Sequence, residues 1–165
     1  MAKRSGGLAS RWDRSVMKKK CQELVGSVLE TMTASEKNAE EYLTNPDPNC
    51  RKVACAVLLF FWKPNDSFKR WCETACTSDP EPAVRKSALV ALGIIYSGTK
   101  DQRIAKALAS IVRDNSKDVR FRLVAYRSLR RVMDTPFLGV EQELEILDAP
   151  DLEIIDWALV DNVIK

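Results

Sequence analysis

Any catalysis in this chain would have to be built without histidine. The 165 residues contain none, which removes Ser–His and Cys–His nucleophile pairs and every imidazole metal ligand. Five cysteines are present, Cys21, Cys50, Cys55, Cys72 and Cys76. Cys72 and Cys76 form a C-x3-C pair and Cys50 and Cys55 a C-x4-C pair, both on stretches that read as helix. A thiolate metal site is the sharper reading, and buried small apolar side chains the better one. Glu141, Glu143 and Glu145 alternate, with no basic or hydroxyl partner nearby in sequence, and read as a solvated face rather than an acid–base pair. The six glycines fall in no phosphate-cradling G-x-G-x-x-G or G-x-x-x-x-G-K-[ST] pattern. The expectation is a chain with no catalytic residue, no metal and no cofactor, and not an enzyme.

The scaffold that would position any site is of one-domain length, and a folded chain of this size needs no disulfide to hold a core. We expect a flexible basic tail over 1–10 and a single domain over 11–165. The odd cysteine count and the lack of an apolar leader point to a reducing, cytoplasmic setting. The longest apolar run, Val53 to Trp62, has ten residues, too few to span a bilayer.

Charge is segregated along the chain. Residues 1–20 carry net +6, 21–50 net −5, 51–134 net +9 and 135–165 net −7, for a total of +3. A near-neutral sum thus hides a basic middle between acidic segments, which can steer partners without saying anything of fold.

Strand alternation is nowhere sustained, whereas helical spacing is. Trp12, Val16, Leu24, Val25, Val28 and Met32 lie close to one face of a helix over about 11–32. Ser35 can cap a short helix that Asn45-Pro46 stops. Pro48 can open the next, to about Lys63. Further helices are expected over about 66–77, 82–97, 100–113 and 117–133, with Asp66, Thr99 and Ser116 as plausible caps. A short acidic helix near 140–147 and a last one over about 151–164 complete the all-α reading.

An internal repeat then sets the fold class. NPDPNCRKVACAVL begins at Asn45, DPEPAVRKSALVAL at Asp79 and DNSKDVRFRLVAYR at Asp114, steps of 34 and 35 residues. Each copy opens a helix that follows another helix. A two-helix unit of this length cannot bury its apolar face alone, and stacking neighbours gives one continuous core. These residues resemble the HEAT repeat family: Asp79/Arg85 and Asp114/Arg120 match its turn acid and the arginine six positions on, with Val84 and Val119 in place. Asn45/Arg51 matches with Asn for Asp and Cys50 for Val. The resemblance covers 45 to about 133. It implies an alpha-alpha superhelix, a right-handed solenoid of HEAT-like helix pairs with atypical N- and C-terminal capping helices.

It also implies roles for residues. Arg51, Arg85 and Arg120 would pair with turn acids such as Asp79 and Asp114 as a structural ladder. The second helices would line the concave, binding face. At 100° per residue, Arg120, Arg127 and Arg131 fall within about 40° of one another. Carried back through the repeat, those columns give Arg85, Leu92 and Tyr96, then Arg51, Leu58 and Trp62. Leu58, Trp62, Leu92, Tyr96, Arg127 and Arg131 are therefore the candidate partner-binding residues. Phe60, Phe61 and Trp62 cannot all face one neighbour, so a core corner or an exposed apolar patch both remain open.

The expected function is a non-catalytic protein-binding scaffold or regulatory module. Its partner would be a protein of acidic and apolar character, and the chain itself a monomer or weak head-to-tail oligomer. The alternative is nucleic-acid binding, as in the HEAT-like alkylpurine DNA glycosylases, which the basic middle, Trp62 and Trp71 permit. The phycobilin lyase-like group is a third class, with nothing beyond the repeat in its favour.

Overall fold

The computed structural model describes residues 28–135 and 152–165. The expected acidic helix near 140–147, Glu141, Glu143, Glu145 and Cys21 lie outside them. The chain divides into two compact units, Met1–Phe68 and Lys69–Lys165. All regular structure among the described residues is helical, in keeping with the all-α, HEAT-like reading.

In the first unit, residues 28–34 are helical (α1), followed by α2 (Glu36–Glu41), a 3-10 turn (Tyr42–Thr44) and α3 (Pro48–Phe60). Proline starts α3 because its missing N–H is one the first turn leaves unpaired anyway, and Asp47 caps it by accepting from Asn49 N at 2.8 Å. Leu29, Met32, Ala39, Leu43, Val53, Val57 and Leu58 are buried. Ser35 occupies the cap position of α2 but makes no side-chain cap bond. Asn65 amide donates to Glu36 Oε1 and Glu40 Oε1, both at 2.7 Å, and its oxygen accepts from Phe68 N at 2.9 Å. One side chain thereby ties α2 to the start of α4 (Asp66–Ser78).

α4 runs on into the second unit, which adds α5 (Pro82–Ile95), α6 (Gln102–Arg113), α7 (Val119–Val132) and, after a 3-10 turn (Leu152–Ile154), α8 (Trp157–Ile164). α7 packs on both α5 and α6, and α8 packs on α6. α6 shows why: Ile104, Ala105, Leu108, Ala109, Ile111 and Val112 recur one turn apart and are all buried. Asp101, rather than Thr99, caps it, accepting from Ile104 N at 3.0 Å. The link before α6 is fastened to the end of α7, since Gly98 N and Lys100 N donate to the last-turn carbonyls of Arg131 and Val132 at 2.8 and 2.9 Å. The last turn of a helix leaves its carbonyls without the i+4 donor of the interior, and Arg131 O accepts from Asp134 N at 3.3 Å as well. Gly98 adopts φ +72° there, a conformation that costs glycine little.

α5 and α7 approach closely through small residues. A Cβ placed on Gly93 would stand 2.8 Å from Ser128 Cα, and Ser128 Oγ donates to Leu89 O at 2.8 Å. At the far end, Asp156 N donates to the hydroxyl of fully buried Tyr126 at 2.9 Å. Arg113 lies over the Trp157 ring, 5.0 Å from its centroid, and pairs with Asp161. These contacts seat α8 on the last helix pair.

Candidate functional site

The second helices of the pairs are α3, α5 and α7, and their caps set the register of every side chain on them. Asp47, Glu81 and Asp118 are the capping residues. The first step is 34 residues and the second 37, so α7 begins later than the Val119-Arg120 match implies. The reason is local. Ser116, the expected cap, donates both its N–H and its hydroxyl to Asp114 Oδ1, at 2.9 and 2.6 Å. Its hydroxyl is held toward that turn, and Asp118 caps α7 instead, accepting from Phe121 N at 3.1 Å.

This register reassigns the arginines. Arg51 Nη1 donates to Asn45 O and Pro46 O at 2.7 and 3.0 Å, and Arg85 Nη1 to Asp79 O and Pro80 O at 2.7 and 3.1 Å. Each stands four residues past its cap. For Arg85 the acceptors are main-chain oxygens of the turn, not the Asp79 carboxylate. The same place on α7 belongs to Arg122, which is 6% exposed and donates Nε to Val112 O at 2.8 Å. Arg120 is exposed, and the Asp114 carboxylate serves Ser116 and Lys117. The Asp114/Arg120 rung therefore does not form, and Arg122, which the repeat match passes over, takes the equivalent place on α7 and ties it to the last turn of α6. The signal for it was the distance from Asp118.

The columns move accordingly. Leu58 and Leu92 share their place with Leu129, and all three are core, at 1%, 3% and 0% exposure. A partner cannot touch them on the folded chain. Arg127 and Arg131 correspond to Val90 and Ile94 on α5 and to Ala56 and Phe60 on α3, and all six are half-buried. In the second unit the half-buried positions at matching places, termed the outer row, are Ser87, Val90 and Ile94 on α5 and Val124, Arg127 and Arg131 on α7. Trp62 and Tyr96 keep a common column, each just past the end of its helix and half-buried.

Tyr96 belongs to a charged cluster. Its hydroxyl donates to Glu73 Oε1 at 3.2 Å, and Arg103 grips the same carboxylate with both terminal nitrogens, Nη2 to Oε1 at 2.9 Å. The hydrogen bonds from Arg103 hold the Glu73 carboxyl below its ordinary value, while burial, and then the Glu73 charge, push the Tyr96 phenol up. A carboxyl lowered in the folded state adds stability above its unfolded value, 4.5, and loses it as pH falls through the folded one. Glu73→Gln is expected to flatten the acid limb of a stability–pH curve below that point. The effect should be small, since the Arg103 side chain is 64% exposed. An unchanged acid limb would mean the pair is not formed in solution.

Cys50, Cys55, Cys72 and Cys76 are buried free thiols. Burial, and then the charge of Glu73, raise Cys76 to about 11, so it is a protonated thiol at neutral pH and a poor nucleophile. Among the described residues no three cysteine or carboxylate side chains gather closely enough to hold a metal ion, and no helix is long and apolar enough to cross a membrane.

No curated protein and no solved structure matches the chain. The family model for HEAT repeats matches residues 35–136, from the helix before the first Arg51-type turn to just past the end of α7. That span is more than half of the chain and contains all three helix pairs, and the protein belongs to the HEAT repeat family.

Proposed function

We propose that the chain is a non-catalytic protein-binding module, and that it binds through the outer row of α5 and α7. The observation that carries this reading is the make-up of that row. Two aliphatic side chains, Val90 and Ile94, stand beside two arginines, Arg127 and Arg131, and all four are half-buried. Arginine is among the side chains enriched at binding hot spots, and apolar neighbours help to exclude water around it. Arginine offers a planar fork to a carboxylate, which lysine does not. The partner that fits is a protein segment with both acidic and apolar groups. Trp62 and Tyr96 are further candidate contacts, each in its own unit.

The test is capture of partners from the source cell by the whole chain, with and without nuclease, and mass spectrometry of what is retained. This reading expects a protein that survives nuclease. Recovery of nucleic acid alone, with binding that collapses steeply as salt rises, would replace it by phosphate-backbone binding.

A further inference from the structure

A second surface of the same unit lies around the N-terminal ends of α5 and α7. Here the chain forms an open cleft of about 690 Å³, lined by Arg85, Lys86, Lys117, Arg120 and Phe121 among others. Its side chains carry four cations and one carboxylate, that of Asp118, and that carboxylate is already occupied in capping α7. Lys117 has a distant neighbour in Asp114, at 3.7 Å. Arg85 spends one terminal nitrogen on two main-chain oxygens, which fixes its guanidinium, and the residue also lines the cleft. Lys86 and Arg120 have no anionic partner among the described residues. Cations in such excess over carboxylate repel one another, and an anion entering the cleft relieves that repulsion while gaining hydrogen bonds.

We infer that this cleft binds an acidic segment of a separate protein, through at least two carboxylates held by Arg85, Lys86 and Arg120. The inference rests on the protein-binding reading above and names a second contact for it. Charge complementarity selects the occupant. Nucleic acid fits less well, because the cleft's one aromatic, Phe121, is 6% exposed and offers no face on which a base could stack. The late start of α7 creates the site: with Arg122 locked to Val112, Arg120 is released to the surface.

The test is a fluorescence-anisotropy titration of the whole chain with a labelled peptide of alternating glutamate and apolar residues. Its glutamine counterpart and a single-stranded RNA of equal charge run beside it. Lys86→Glu with Arg120→Glu reverses the cleft at exposed or half-buried positions. Lys52→Glu with Lys106→Glu makes the same change in net charge elsewhere. The cleft pair should weaken the acidic peptide at least about tenfold and the control pair less than about threefold, with helical content, melting and mass unchanged. The inference fails if the peptide does not bind, if both pairs weaken it alike, or if RNA binds more tightly and loses that binding with the cleft pair. It fails too if the cleft pair changes melting or mass, because the cleft would then hold the chain's own acidic residues. If the peptide fails while a nuclease-resistant protein is still captured, the cleft is lost and the protein-binding reading stands. Capture of nucleic acid alone removes both.

Discussion

Arg122→Ala should cost about 2–4 kcal/mol of stability, whereas Arg120→Ala should change it by less than about 0.5 kcal/mol. The two arginines are separated by one residue and differ only in register. Arg122 is buried and gives Nε to Val112 O at the end of α6. Its removal leaves a carbonyl without that charged donor, opens space beside α7 and loosens the α6–α7 pair. Arg120 is exposed and gives up solvated charge. For a chain of this length the first change should lower the melting midpoint by roughly 5–15 °C. Equal effects, or the larger one at Arg120, would return α7 to the register of the Val119-Arg120 match. The ladder would then be restored and Arg120 withdrawn from the cleft.

Gly93→Ala should also destabilise, by about 1–3 kcal/mol net. On an isolated helix the change would gain about 1 kcal/mol, because alanine favours helix and glycine does not. Here the new methyl would stand 2.8 Å from Cα, Cβ and Oγ of Ser128, a contact that side-chain rotation alone cannot relieve. α5 and α7 must move apart, and the bond from Ser128 Oγ to Leu89 O stretches with them. Denaturant unfolding of the two proteins measures the difference. A variant as stable as the parent would mean the helices are farther apart in solution than this packing requires.

Much of the fold was legible because its signals are local. Pro48 and Pro82 stand at the first position of α3 and α5, where the missing N–H does no harm. The 34-residue step, the helical spacing of apolar residues and the turn arginines Arg51 and Arg85 lead to helix pairs without further help. The third pair was misread because two local signals disagree. Val119-Arg120 repeats Val84-Arg85 in type, but the start of a helix is decided by which side chain is free to cap it. Asp114 takes both donors of Ser116, and Asp118 wins. That two-residue difference turns an arginine expected in the ladder outward and an unnoticed one inward.

The same slip explains the candidate face. Leu58 and Leu92 were placed in the column of Arg127, but counted from the caps they fall with Leu129, in the core. Arg120, Arg127 and Arg131 do share one side of α7, as their spacing requires, since that count stays within a single helix. Arithmetic inside a helix survives an error in register, and arithmetic carried between helices does not. The cleft had no sequence signal at all, because its cations come from two helix starts more than 30 residues apart.

On the proposed function, the outer row of α5 and α7 receives a separate protein. The most direct test sets the double variant Arg127→Ala with Arg131→Ala beside the parent. One experiment measures affinity for the nuclease-resistant protein captured by the parent, together with melting and mass in solution. At least about a tenfold loss of affinity is expected, with mass and helical content retained. Unchanged affinity would contradict this reading. So would a change in mass, because the arginines would then be fastening the chain to another copy.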